Sequence, residues 1–206
     1  MAIEKITTAA FLSLLFLCLP IAEAKAERHK IADPVSAMDE HFRTQLHMMG
    51  YTEVDASAYF PLFTNHAVAG FQQDFNLPAT GIIGPNTRMS MHNVEMMARI
   101  VHGEARGESY IGQVGVAAVI LNRMESEDFP DTVEEVVFQK NAFTAVNDAQ
   151  YLMEPDASAY RAVKEAVSGM DPTGGAVYYF NPDGVTDTWI YSRTVITQIG
   201  RHFFAQ

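Results

Sequence analysis

The hydrophobic periodicity of this chain changes once, at Gly174-Gly175, and that change limits the folds open to it. Before the glycine pair, apolar residues recur three and four apart, as on one face of a helix. After it they come in short β-branched and aromatic runs. Ser109 opens the most apolar helical stretch, with Val114, Ala117, Ala118, Ile120 and Leu121, closing at Asn122-Arg123. It reads as a central buried helix. Asp131-Thr132-Val133-Glu134 carries a capping-box pattern for a short helix to Gln139, and Asp156 caps a helix over 157–168 that Gly169 and Pro172 stop. Beyond the pair, segments 176–180, 188–191, 195–199 and 202–204 read as strands, the first followed by the turn Asn181-Pro182-Asp183-Gly184. The fold class is therefore α+β: a mainly helical body with a small antiparallel sheet.

Upstream lies a smaller all-α unit. A helix over 35–49 ends at Gly50 in the C′ position, and a loop-like segment follows from Tyr51 to Pro61. A second helix over 64–75 places Ala67, Val68, Phe71 and Phe75 on one face. Gly81 and Gly84 permit a tight reversal, and Pro85 suits the first turn of a short helix over 86–91. Asn93 is an N-cap with Glu95 in the first turn, so a second domain is expected to begin at 94 with no Gly/Ser linker before it.

The first residues read as a targeting segment. Residues 9–22 form an apolar run too short to span a bilayer comfortably; Lys5 precedes it and small residues follow at Ala22, Ala24 and Ala26. That is the layout of a cleavable secretory signal peptide, residues 1–24, which leaves no stable membrane anchor after cleavage and sends the protein to the periplasm or cell envelope. Leu17 before Cys18 disfavours a lipoprotein signal. Cys18 is the only cysteine, so the mature chain has no disulfide, no thiol nucleophile and no Cys-based metal site. Stability must come from the core, and ~180 residues at 48% apolar composition suffice for one or two modest cores.

Net charge is −11, and from residue 94 onward eight Lys/Arg stand against sixteen Asp/Glu. No basic stripe suits nucleic acid. An acidic surface also argues against adsorption to anionic polymers, so carbohydrate recognition would rest on hydrogen bonds and aromatic stacking.

Chemistry concentrates at Val101-His102-Gly103-Glu104-Ala105-Arg106-Gly107-Glu108. Projected at ~100° per residue, Glu104 falls beside Met97 and Val101 on the core-facing stripe. An unpaired buried carboxylate costs several kcal/mol, and a carboxyl kept protonated near neutrality is what a general acid requires. The alternative is a solvated helix end with an Arg106–Glu108 surface pair. Gly107 is expected to end the helix, which makes Glu108 chiefly a structural partner of Arg106 or of nearby backbone donors. His102 and Glu104, two apart, point in different directions on a helix; with His-Glu-x-x-His absent and His202 the one obvious third ligand, no metal site is assigned. No phosphate loop or nucleophile elbow appears, and no cofactor is implied.

Two resemblances follow from these residues. Gly70-Phe71-Gln72 through Leu77-Pro78, then Gly81-Ile82-Ile83-Gly84-Pro85-Asn86-Thr87, resembles the second half of a three-helix peptidoglycan-binding domain, covering 36–93. Thr80-Gly81 stands where Asp-Gly is typical, and the first half-repeat around Asp55 to Thr64 is degenerate. Residues 94–206 resemble the cell-wall hydrolase family typified by the spore-cortex-lytic enzyme. The match rests on the Glu104 segment, Gly112-Gln113-Val114, Val119-Ile120-Leu121-Asn122-Arg123, Ala142-Phe143-Thr144-Ala145-Val146, Asp171 to Ala176 and Tyr178-Tyr179-Phe180-Asn181-Pro182. That resemblance implies a lysozyme/lytic-transglycosylase-like domain that cleaves peptidoglycan glycan strands, with the catalytic glutamate at Glu104. Arg106 and Glu108 would be its supports.

On such a substrate Glu104 would protonate the bond between N-acetylmuramic acid and N-acetylglucosamine, then accept the muramyl C6 hydroxyl proton as a 1,6-anhydro ring closes. An ordinary glycosidase needs two carboxylates, ~5 Å apart for retention or ~6.5–9.5 Å for inversion. Tyr178, Tyr179, Asn181 and Trp189 are candidate sugar subsites, as are Phe143 and Thr144, each with a half-buried core role as its alternative. Gln113 either lines the cleft or satisfies a backbone group. The competing functions are a hydrolytic muramidase and a non-catalytic wall-binding or regulatory protein. An accessory cell-envelope protein is a further expected partner besides the glycan.

Overall fold

The computed structural model describes residues 34–53, 61–185 and 188–206. The segment expected to be a signal peptide and part of the expected degenerate half-repeat lie outside the described residues. Residues Met38–Gln206 form one compact unit.

Helices α1 (Pro34–Met48) and α2 (Pro61–Asp74) match the two expected upstream helices. The end of α1 is closed by the Tyr51 N–H, which returns to the Leu46 carbonyl at 2.9 Å. Phe42, Leu46, Met49, Val68, Phe71 and Met91 are buried here, each side chain worth on the order of 1.5–3 kcal/mol. Buried Gln72 holds the following reversal: its Oε1 accepts the Gly81 N–H at 2.9 Å, and its Nε2 donates to the Ile82 carbonyl (2.9 Å) and the Thr87 hydroxyl (3.0 Å).

The expected break at residue 93 is not there. Helix α3 runs unbroken from Pro85 to Ala105, so a boundary at 93/94 falls inside it. Pro85 occupies the first turn as expected. Asn93 does not cap, because its helix-interior penalty is a few tenths of a kcal/mol. Against that stands the burial of Met91, Val94, Met97, Ala98 and Val101 along one continuous stripe. The main core cluster correspondingly reaches from Phe42 to Ala166, and a smaller one of Val119, Ala176 and Phe204 lies under the sheet. Glu95 ties α1 to α3, meeting His41 Nε2 at 2.7 Å and Gln45 Nε2 at 2.9 Å while its other oxygen takes Arg99 at 2.7 Å.

Helix α4 (Tyr110–Glu125) starts at the Ser109 cap, whose hydroxyl accepts the Gly112 N–H, and runs two residues past Arg123. It is the central buried helix, packed against α3 and α7 (Ala157–Val167). Asp156 caps α7 as expected, taking the Ala159 N–H at 2.9 Å. Helix α5 (Val133–Phe138) is capped one residue later than expected. Thr132 accepts the Glu135 N–H at 3.2 Å and donates its hydroxyl to the Glu135 carboxylate at 2.8 Å. A short helix, α6 (Thr144–Asn147), follows.

Three strands among the described residues form the sheet: β1 (Tyr178–Phe180), β2 (Val195–Ile199) and β3 (His202–Ala205), antiparallel in the order β1-β3-β2. Tyr179 pairs with Phe204, and Ile199 with His202. The segment expected as a strand around Trp189 is instead a 3-10 turn, Thr188–Ser192. The Ser192 hydroxyl bonds the Trp189 carbonyl at 2.6 Å, and the Arg193 N–H reaches the Ile190 carbonyl at 3.1 Å. Those local bonds satisfy backbone groups that a sheet ladder would otherwise need. No helix of the described residues is long and apolar enough to cross a membrane.

Candidate active site

Glu104 lies in the last turn of α3, one residue before the helix ends. Gly103 beside it permits the site to assemble. A Cβ at that position would come within 2.5 Å of the Ala145 Cβ, closer than packed carbons approach. Without it, α6 settles against α3, and the Ala145 N–H donates to Glu104 Oε1 at 2.6 Å. The Thr144 N–H and the Tyr179 hydroxyl are also directed at this carboxyl.

Burial raises the Glu104 pKa above the ordinary glutamate value, and the exposed Asp148 carboxylate adds to the rise. The donors from Ala145, Tyr179 and Thr144 oppose that shift without cancelling it. Glu104 thus holds its proton to higher pH than a solvated glutamate while keeping donors ready for the carboxylate. Burial above all, and then the neighbouring Glu104, push the Tyr179 hydroxyl far above its usual pKa, so Tyr179 is the donor of that pair.

Arg123 backs the site. It continues the buried stripe of α4 after Val116 and Ile120, is 5% exposed, and donates from Nε to the Val177 carbonyl at 2.8 Å. Its guanidinium lies over the rings of Phe143 (4.9 Å) and Phe129 (5.2 Å). Burial pulls its pKa down, with Tyr179, Tyr178 and Glu104 acting the other way. A cation held in this position favours the ionised form of a nearby carboxyl.

The supports differ from expectation. Arg106 and Glu108 do not pair. Arg106, beyond the end of α3, donates to Gln150 Oε1 and to the His102 and Gly103 carbonyls. Glu108 instead receives Arg201, through the guanidinium at 2.7 Å and the backbone N–H at 3.1 Å. The helix has ended between Glu104 and Glu108, so the two carboxylates no longer share a face. His102 turns toward the α7 cap, its Nδ1 accepting the Asp156 N–H at 3.4 Å.

Among the expected subsites, Phe143 is buried beneath Arg123, and Thr144 is exposed at the start of α6. Gln113 is buried and structural: Oε1 accepts from the Ser158 hydroxyl at 2.8 Å and Nε2 donates to the Glu108 carbonyl at 3.4 Å. Asn181 caps its own turn by accepting the Asp183 N–H at 3.1 Å. Strand alternation sends Tyr178 to the face opposite Tyr179, where it meets Trp189 edge-on with ring centroids 5.5 Å apart. Tyr178 and Trp189 therefore sit together, away from the Glu104 donors. Sequence reasoning placed Tyr179 only among the aromatic sugar subsites, not as a donor to Glu104, and gave no site role to Arg123 or Asp148. Alternation around Tyr178 and Phe180 was the available signal for Tyr179, and an arginine on an apolar helical stripe was the signal for Arg123.

Comparison with known proteins places this geometry in context. Residues 107–205 match the cell wall hydrolase family, beginning three residues after Glu104, and residues 40–91 match the peptidoglycan binding domain family. The chain is 57% identical over 115 residues to a spore cortex-lytic enzyme of Halalkalibacterium halodurans, covering 56% of this chain and 35% of that protein. It spans less than half the length of the curated spore cortex-lytic enzymes it matches. Among solved structures, it resembles the catalytic domain of the Bacillus cereus SleB protein, at 53% identity and a TM-score of 0.53, over 55% of this chain and 89% of that one. The catalytic domain of the germination-specific lytic transglycosylase SleB from Bacillus anthracis is similar at 54% identity and a TM-score of 0.53, over 55% of this chain and 93% of that one.

Proposed function

Because the chain belongs to the cell wall hydrolase family, we propose that it is a secreted peptidoglycan hydrolase acting on the glycan strand as a lytic transglycosylase. Residues 94–206 are assigned as the catalytic part and 36–93 as the peptidoglycan-binding part, a division of function that passes through the continuous helix α3. Residues 1–24 are its signal peptide, delivering it to the periplasm or cell envelope. The observation that carries the reading is one largely covered carboxyl, Glu104, with a raised pKa and donors from Ala145, Thr144 and Tyr179.

Glu104 protonates the oxygen between N-acetylmuramic acid and N-acetylglucosamine, and the C1–O bond breaks. The carboxylate so formed is stabilised by those three donors, with the Arg123 cation behind them. It then removes the proton from the muramyl C6 hydroxyl, whose oxygen closes onto C1. The acid is regenerated, and no water is consumed. Glu108, occupied by Arg201, takes no part.

Asp148 supports a second reading. It is the carboxylate whose charge acts on Glu104, and hydrogen bonds from the Gln150 side chain and backbone hold its own pKa low. Were Asp148 to activate a water, the enzyme would be a hydrolytic muramidase leaving a reducing end. Mass spectrometry of digested sacculi separates the two, since the anhydro product is lighter by one water; reducing muramic ends alone would reject the transglycosylase. Glu104→Gln, which retains an oxygen for the Ala145 N–H, is expected to lower lysis by about 10²–10⁴-fold or more. Undiminished lysis by that folded variant would reject Glu104 as the acid, whereas no lysis by the parent chain would leave a non-catalytic wall-binding role.

A further inference from the structure

Across β1 from Glu104 lies a concavity of about 410 Å³. Its walls include Asn122 and Glu125 on α4, Asp128 beyond it, Val177 and Tyr178 at the start of β1, and Arg193. The Arg193 guanidinium rests over both the Tyr178 ring (5.0 Å) and the Trp189 ring (4.9 Å). Among the described residues, neither Arg193 nor Glu125 nor Asp128 enters an ion pair. One cavity thus holds a guanidinium braced by two aromatic rings and two carboxylates, none matched by a charge among the described residues. A neutral sugar can hydrogen-bond and stack here but leaves all three charges unmatched. A ligand bearing both a carboxylate and an ammonium matches it.

We propose that this cavity binds the peptide stem of peptidoglycan through a diamino-acid residue, its carboxylate on Arg193 and its side-chain ammonium on Glu125 and Asp128. The assignment rests on the peptidoglycan substrate of the proposed function and adds a peptide subsite to it. The reach is suitable. Tyr178 and Tyr179 are adjacent, ~3.8 Å apart at Cα, with side chains on opposite faces of one strand. The cavity and the catalytic carboxyl are then separated by on the order of 10 Å. An extended peptide covers ~3.3–3.6 Å per residue, so the third residue of a stem on the muramic acid at the cleaved bond arrives there. The stem would set which muramic acid of the strand is presented to Glu104.

The test is a titration of the full chain, followed by NMR, with the tripeptide L-Ala-D-Glu-diaminopimelate and with the same peptide acetylated on its side-chain amine. The free tripeptide is expected to bind, and acetylation to weaken it at least about tenfold. Arg193→Ala should weaken both peptides by a similar factor, with Arg193→Lys recovering part of the loss. Glu125→Gln combined with Asp128→Asn should erase the difference between them. No binding at millimolar peptide, equal binding of the two peptides, or binding indifferent to Arg193 would overturn the proposal. Lysis of sacculi is read separately. A lytic chain that ignores the tripeptide refutes the peptide subsite alone, and a chain that binds it yet releases no muropeptide refutes the proposed activity alone.

Discussion

Replacing Tyr179 with Phe removes one oxygen and leaves the ring in place. That ring is wedged among His202, Phe204 and Phe143, at centroid distances of 5.1, 6.1 and 6.4 Å, so its apolar contacts survive. What disappears is the hydroxyl donor to Glu104. A hydrogen bond to a charged group is worth about 1.5–3 kcal/mol, and one between neutral groups about 0.5–1.5 kcal/mol. The difference, about 1–1.5 kcal/mol, is what Tyr179 contributes as the acid becomes a carboxylate. At 1.36 kcal/mol per decade, kcat should fall about 5- to 12-fold. The direction of the pH effect is also set. Tyr179 lowers the Glu104 pKa, so its loss raises that pKa further, and the alkaline limb of kcat/KM against pH should move to higher pH. Turbidity loss of purified sacculi across a pH series measures both quantities, with near-ultraviolet circular dichroism confirming the fold. An unmoved limb with an unchanged rate would show that the hydroxyl does not serve Glu104 in the working enzyme. A loss beyond about 10³-fold in a folded variant would refute the reasoning differently, by making Tyr179 itself the proton-transfer group.

Two further changes probe the connection between α3 and the sheet. Burial raises the Glu108 pKa, but the Arg201 backbone N–H and guanidinium, with His202 nearby, outweigh it and hold the pKa below the ordinary 4.5. A depressed folded pKa gives stability that is present above the unfolded value and lost as pH falls through the folded one. Glu108→Gln should therefore lower thermal stability at pH 7 by about 1 kcal/mol, kept modest because Arg201 is exposed, with the gap to the parent closing below pH 4.5. A gap that widens in acid would contradict this. Gly200, at φ +60°, opens the two-residue turn between β2 and β3, and a Cβ there would collide with Glu108 Oε2. The left-handed backbone alone costs a non-glycine residue about 1–2 kcal/mol. Gly200→Ala should thus lower the Tm by at least about 2–4 °C, and an unchanged urea midpoint would refute the crowding.

Much of this architecture was legible because its causes are local. Pro85 marks a helix start through its fixed φ, Ser109 and Asp156 through bonds that close within three residues, and the change of texture after Gly175 marks the sheet. Local preference misled where long-range packing outweighed it. Asn93 has a cap's chemistry, yet the stripe from Met91 to Val101 carries α3 straight through it. Thr188 to Tyr191 departs for a local reason instead: it has a strand's composition, yet bonds from Ser192 and Arg193 to residues three back bend it into a turn.

The division at the site is of the same kind. Glu104 could be singled out from the chain alone because a helix fixes the direction of each residue relative to the last. Its donors could not, since Ala145 lies 41 residues away and the partner of Glu108 lies 93 residues away. Sequence determined that a carboxyl would sit on the buried stripe of α3. Tertiary packing decided what surrounds it: α6 closing over Gly103, β1 presenting Tyr179 rather than Tyr178, and Arg201 drawing Glu108 aside. The reason is physical. Helical spacing is a property of neighbouring residues, whereas the field at a buried carboxyl is set by groups that only the packed core brings together.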